Sequence, residues 1–187
     1  MKKSWTIVGG IAIIAILIIG YVWSTYNKLI TANEAVDSQW AQVDTQYQRR
    51  FDLIPNLVES VKGIMKQEQT IFTELAEART RYAGAGTTDQ KAEAASQLEG
   101  SLARLLVIME NYPQLKSAET VQTLMSQLEG TENRISVERK RYNDSVRDFN
   151  VIIKRIPASW VASSMNFSEK KYFEATAGSE LAPQVNF

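Results

Sequence analysis

The sequence predicts an all-α protein: an N-terminal transmembrane helix followed by an antiparallel up-and-down four-helix bundle with long helices. Three observations predict it. No residue from Trp5 to Trp23 carries a charge, and the run between them is almost purely apolar. Beyond that run, apolar residues recur at alternating steps of three and four, and no stretch alternates at period two for long enough to be a strand. Glycine- and proline-containing breaks then divide the periodic sequence into pieces of helical length.

The first element is the anchor, residues 6–25, preceded by a short tail of residues 1–5. Thr6, Ile7, Ile13, Ile16 and Ile19 lie within it and Trp23 closes it. At about 1.5 Å per residue the run reaches roughly the 30 Å of a bilayer core. Trp5, Tyr21, Trp23 and Tyr26 stand where interfacial aromatic residues belong. Lys2 and Lys3 also open a signal peptide, but this run is long and Gly20-Tyr21-Val22-Trp23 is too bulky for a cleavage site. The expectation is an uncleaved single-pass anchor. Lys2, Lys3 and the amino terminus outweigh Lys28, which puts the N-terminus in the cytoplasm and the domain outside.

Residues 26–157 hold four periodic segments. In the first, Leu29, Val36, Trp40, Val43, Tyr47 and Ile54 share a face; the second continues through Leu57, Val61, Ile64, Glu68, Ile71, Leu75, Ala78 and Tyr82. Ala83-Gly84-Ala85-Gly86-Thr87-Thr88 is a break, with Thr88 or Asp89 placed to cap the third helix. That helix carries Ala95, Leu98, Leu102, Leu105 and Met109, and ends at Asn111-Tyr112-Pro113. The fourth runs from a Ser117 cap to a stop at Pro157.

Pro55 decides the join between the first two segments. Proline lacks the amide donor and pushes its predecessor towards extended geometry. If it breaks the chain, Arg49 and Arg50 suit the end of one helix, paired with Asp44 or Asp52, and Asp52 the start of the next; the alternative for the arginines is binding an anionic lipid headgroup or a partner's acid. The four helices, roughly 40, 40, 33 and 58 Å long, then pack up and down. If it only kinks the chain, the first two segments form a rod of about 80 Å covered by the later helices. The lengths favour the bundle, with Pro55 as its first corner. Residues 158–187 weaken in pattern. Ser159–Met165 reads as a short helix docked through Trp160, and residues 175–180 read as a mobile tail.

Composition narrows the chemistry. The 187 residues include 21 basic and 21 acidic side chains, which gives no basic excess for nucleic acid. Histidine and cysteine are absent, so the commonest general base, the commonest transition-metal ligand and every thiolate site are excluded. Gly84 and Gly86 are a turn and not a phosphate loop, since no Gly-Lys-Ser/Thr follows. Neither a cofactor nor a metal ion is expected. Glu68 and Glu138 fall on apolar seams, where a carboxylate needs a partner or must neutralise itself. They are read as a buried salt-bridge network with an arginine such as Arg134, Arg139, Arg50 or Arg79. The alternative is a carboxylate pair for hydrolysis or cation binding. Tyr142-Asn143 and Phe149-Asn150 repeat an aromatic–amide pair at heptad spacing, which is read as core packing with interhelical hydrogen bonds.

Arg49-Arg50-Phe51-Asp52-Leu53-Ile54-Pro55-Asn56-Leu57-Val58 also resembles the signature of the bacterial LemA family. The resemblance extends over most of the chain beyond the anchor, through Tyr26-Asn27-Lys28-Leu29, Trp40, Asp44, Glu59-Ser60-Val61-Lys62-Gly63 and Glu110-Asn111-Tyr112-Pro113. It continues in Thr131-Glu132-Asn133-Arg134-Ile135, Arg139, Tyr142-Asn143 and Phe149-Asn150. Gln67 stands where many relatives have histidine. The resemblance implies a single-pass protein of the bacterial cytoplasmic membrane without an agreed activity. The function expected is therefore a non-enzymatic scaffold or adaptor. It meets the lipid bilayer through residues 6–25 and self-associates or binds another membrane protein, without nucleic acid. A hydrolase built on Glu68 and Glu138, or a membrane-remodelling coat, are the alternatives; the coat follows from relatives in specialised membranes.

Overall fold

The computed structural model describes residues 2–173, which form helices and turns without a strand among the described residues. The helices are α1 (Lys2–Lys62), α2 (Gln69–Gly84), α3 (Thr88–Met109), α4 (Pro113–Lys116), α5 (Glu119–Lys154) and α6 (Ala158–Ser164). The tail expected to be mobile, residues 175–180, lies outside the described residues. The chain divides into two compact units, and α1 and α5 contribute to both. One unit comprises residues up to Gln39 with Arg141–Tyr172; the other is centred on Trp40–Lys140 and includes Phe173.

The Trp40–Lys140 unit is an up-and-down bundle of α1, α2, α3 and α5, and the pairing of side chains gives the directions. Arg104 binds Glu74 at 2.8 Å while Arg81 donates to Gln97 at 3.0 Å, so α2 and α3 are antiparallel. Lys91 meets Asp44 and Glu99 meets Arg50, so α3 follows the direction of α1. Arg139 meets Tyr47 and Glu132 meets Arg50, so α5 returns against it. Val43, Tyr47, Ile54, Leu57, Val61, Leu75, Leu98, Leu105 and Ile135 fill the core between these helices.

Pro55 does not break α1, which stays helical to Lys62. This corrects the expected corner, and the energetics explain it. Tyr47, Arg50, Ile54, Leu57 and Val61 form one buried stripe straight across the proline. An interior proline costs about 3 kcal/mol, whereas burying each of Ile54, Leu57 and Val61 contributes roughly 1.5–3 kcal/mol. Pro55 itself faces solvent, so its ring meets no neighbouring helix. The true corner follows Lys62-Gly63, a basic residue and a glycine at a helix end. Ile64 and Met65 both donate to Val61 O, at 3.0 and 2.9 Å, and Glu68 donates to Met65 O at 3.1 Å, which closes the turn. The apolar period that seemed to run from Leu57 to Tyr82 therefore crosses two helices, and Ile64 is exposed within it.

Two caps also shift. Thr87, not Thr88 or Asp89, caps α3: its hydroxyl accepts from Gln90 N at 3.2 Å, while Gln90 Oε1 accepts from Gly86 N at 3.0 Å. Ser117 ends α4 instead of opening α5, donating to Gln114 O at 3.1 Å.

In the other unit, α6 ends in a reversal that Asn166 makes, at φ 60° in the left-handed region where asparagine is tolerated. Phe167 N bonds Ala162 O at 3.0 Å and Asn166 N bonds Ser163 O at 3.3 Å, the paired bonds of a Schellman end. The turn delivers Phe167 to Phe149 and Tyr26, with ring centroids 6.2 and 6.4 Å apart. Val161 and Ala162 are the buried residues of α6. Trp160 is not: it is 70% exposed, so the helix does not dock through it.

Candidate functional site

Arg49 and Arg50 are neighbours on one helix, and about 100° of rotation separates them. One must point out when the other points in. Arg49 is exposed together with Asp52, Pro55 and Asn56, whereas Arg50 is buried to 4% exposure. The pair is therefore not a helix-end cap, as α1 has no end there. Arg50 pairs with Glu132 of α5, and its Nη1 lies 3.5 Å from Glu99 Oε1 of α3. Glu99 in turn accepts from Arg139 Nη2 at 2.7 Å. Arg139 Nε donates to the Tyr47 hydroxyl at 2.7 Å and its guanidinium covers the Tyr47 ring at 5.4 Å. The same guanidinium stands 5.0 Å from the Phe173 ring, which stacks on Trp40 at 5.4 Å.

A second group adjoins through the aromatic rings. Lys91 Nζ is 2.8 Å from both Asp44 oxygens, and Tyr82 donates its hydroxyl to Asp44. Tyr82 packs against Phe51 at 4.3 Å and Tyr47 at 5.8 Å.

The charges in the first group balance: Arg50 and Arg139 against Glu99 and Glu132. Burial raises the Glu99 carboxyl above its ordinary value; the Arg139 guanidinium opposes this and Glu132 reinforces it. Burial likewise raises both tyrosines, Tyr47 against the pull of Arg139 and Tyr82 with added help from the Asp44 bond. The phenols therefore act as fixed hydrogen-bond groups at neutral pH. Chemically the arrangement ties α1, α2, α3 and α5 together in one register.

Of the expected site residues, Arg50 and Arg139 are brought together, and Glu99 joins them. Arg134 is exposed on α5. Glu68 and Glu138 are not brought together and neither is fully buried. Glu68 lies in the turn before α2, where its side chain makes no cap bond, whereas Glu138 is next to Arg139 at the level of Tyr47. From residue 47 to the end of α1 at Lys62 is roughly 20 Å of helix. The carboxylate-pair arrangement is thus absent. Among the described residues no three of Asp, Glu, His and Cys gather as metal ligands.

The half-buried carboxylate that the sequence reading missed is Glu99. Its signal was available, since it lies four residues after Ala95 and three before Leu102, flanking the α3 seam. Beside Arg50 an apolar cavity of about 760 Å³ opens among α1, α3 and α5, walled by Leu57, Leu102, Leu105, Met109 and Leu128. Its size is that of a ligand or partner site.

In the smaller unit, Asn150 does not make the expected interhelical bond. It is 3% exposed and grips the backbone of the segment after α6: its amide nitrogen donates to Lys170 O at 2.8 Å and its oxygen accepts from Lys170 N at 2.9 Å. Tyr142 donates to Lys171 O at 3.3 Å, and Asn143 is half-buried beside it. Residues 6–25 of α1 carry the exposed apolar side chains Ile7, Ile13, Ile16, Ile19 and Trp23, with Thr6 among them, on a helix long and apolar enough to cross a membrane.

Fold and site together define a class: a membrane-associated helical-bundle protein whose buried polar groups serve its own architecture. The chain belongs to the LemA family, which it matches over residues 39–187. It is 27% identical to the magnetosome protein MamQ of Magnetospirillum gryphiswaldense, over 86% of this chain and 70% of that protein. It is 26% identical, over the same shares, to magnetosome proteins MamQ 1 and MamQ 2 of Paramagnetospirillum magneticum.

Proposed function

We propose that this protein is a non-enzymatic scaffold or adaptor, held by a single pass through residues 6–25 in the bacterial cytoplasmic membrane. It works by binding a second copy or another membrane protein. The observation that carries this reading is the contrast in what is exposed. The buried charges are spent on ties between helices, whereas an apolar cavity and a long apolar helix remain open. A group of matched ions without a nucleophile beside it suits register and not turnover. An anchor confines the bundle to two dimensions, which raises its effective concentration for neighbours, so weak contacts suffice. The lysines before residue 6 support a cytoplasmic N-terminus with the bundle outside. A second reading, a coat that organises or remodels a specialised membrane, is favoured by the relatives' name as magnetosome proteins.

Crosslinking in intact membranes followed by mass spectrometry tests the scaffold. The expected outcome is crosslinks from exposed Lys62, Lys66 and Lys140 to a second copy or to one recurrent membrane protein. Recovery of the monomer alone overturns it. Because the chain has no cysteine, Gln127→Cys treated with a membrane-impermeant maleimide reports topology, and labelling from outside is expected.

A further inference from the structure

The corner between α5 and α6 is made of side chains that a soluble surface does not favour. Ile156 is 74% exposed and Trp160 is 70% exposed. No charged residue lies between Arg155 and Glu169, so the whole of α6 and its reversal is uncharged. Position makes this informative. Trp160 and Val161 line an apolar hollow of about 580 Å³ together with Ile14, Leu17, Ile18 and Tyr21 of α1. Those α1 residues lie within the stretch assigned to the bilayer. Ile18 is seven residues before the end of that stretch at residue 25, which is about 10 Å at 1.5 Å per residue. A helix level with Ile18 is at the depth that interfacial segments reach, roughly 5–10 Å inside the headgroup boundary. Tryptophan is among the residues enriched where membrane and water meet.

We propose that the α5–α6 corner is a second membrane contact, in which Ile156 and Trp160 enter the acyl-chain region of the leaflet beside the anchor. The occupant of the hollow is lipid. Exposed Arg155 marks the polar edge of the inserted corner, where headgroup phosphates lie. Asn150 and its grip on Lys170 then carry the chain back out of the lipid. The proposal rests on the reading of residues 6–25 as membrane-spanning, and the test separates the two.

The full chain is reconstituted in phosphatidylcholine–phosphatidylglycerol vesicles with one environment-sensitive NBD label per variant, at Trp160→Cys, Ile156→Cys, Ile16→Cys or Gln127→Cys. The expected result is blue-shifted emission at positions 160, 156 and 16, quenched by doxyl-labelled lipid, with position 127 reading as water. Shallow-doxyl lipid is expected to quench position 160 at least twofold more than position 16. Position 160 reading as water while position 16 reads as lipid overturns the second contact and leaves the anchor intact. Blue-shifted emission at 160 that doxyl lipid does not quench also overturns it, because protein then covers the corner. Position 16 in water overturns both readings. Trp160 and Ile156 are exposed, so neither substitution removes packing from the fold.

Discussion

Between Trp40 and Lys140 the apolar stripe of α1 lies under α2, α3 and α5, and the charges that enter with it are matched across helices. From Ile7 to Ile19 the apolar side chains of the same helix are exposed. Water is a tolerable solvent for the first stretch because one face only is apolar; it is a poor one for the second. The same contrast holds in how each unit fixes its chain. The larger uses ions, which need a partner of opposite sign at a set height. The smaller holds the segment after α6 by the buried amide of Asn150 and by aromatic rings, while its ion pairs, Lys154 with Glu169 and Lys170 with Asp37, stay at the surface. One helix thus passes from a stretch where buried charge specifies register to one that carries no charge from Trp5 to Trp23.

The strongest way to break the comparison is to put charge where the apolar stretch has none. Each acidic residue at the middle of a membrane helix costs about 2.5–3.5 kcal/mol. Ile13→Asp with Ile16→Asp is therefore expected to move the protein out of the membrane fraction, as followed by immunoblotting after flotation. Gln48→Asp with Gln127→Asp, on exposed faces of the larger unit, is expected to leave it there. Retention of the first variant in membranes would erase the distinction between the two regions.

Next in size is Arg50→Leu. Arg50 is buried but its partners are partly exposed, so removing it costs about 1.5–3 kcal/mol, the range for a charged hydrogen bond. Glu99 would keep Arg139 alone, and the half-exposed Glu132 would turn to water. Denaturant unfolding of the full chain in mild detergent is expected to show that loss, and adding Glu99→Gln is expected to recover part of it. A loss under about 1 kcal/mol would class Arg50 with surface pairs. Asn150→Ala comes third. It strands Lys170 N–H and C=O, at about 1–3 kcal/mol for a buried group left without its bond. The change is expected to be local: hydrogen exchange at Lys170 quickens, while amides of α2 and α3 keep their rates.

Periodicity made the helices legible because burial recurs every three or four residues whatever the partners are. It did not tell a continuous helix from two helices in phase. The corner therefore falls at Gly63 and not at Pro55: the seam passes through the proline and happens to resume after the glycine. Arg50 was visible as a motif residue, but its depth was not, since one turn of helix contains both an inward and an outward arginine. Glu99 was passed over because its neighbours Leu98 and Leu102 already satisfied the pattern. The segment after α6 has no helical period, and Asn150 binds its backbone, which side-chain identity does not reveal. Phe167 and Asn166 mark its start only once the left-handed turn is known.

The smallest expected effect is the pH dependence that Glu99 imposes on the larger unit, and it discriminates between burial and pairing as the dominant influence there. Burial is the largest influence on Glu99 and raises its folded-state value above the ordinary carboxylate range, against the opposing pull of Arg139 and Arg50. Between the ordinary value and the raised one, the folded state holds more protons than the unfolded state. Stability from this group is then fully present below the ordinary value and is lost as pH rises through the raised one. Glutamine at this position does not titrate. The stability of the wild type relative to Glu99→Gln is therefore expected to fall as the pH is raised from about 4 to about 7, read from denaturant midpoints of both chains. A relative stability that instead rises over that interval would mean that the two guanidinium groups outweigh burial. Asn150, which carries no proton to exchange in this range, serves as the control: wild type and Asn150→Ala are expected to keep a constant difference across the same interval.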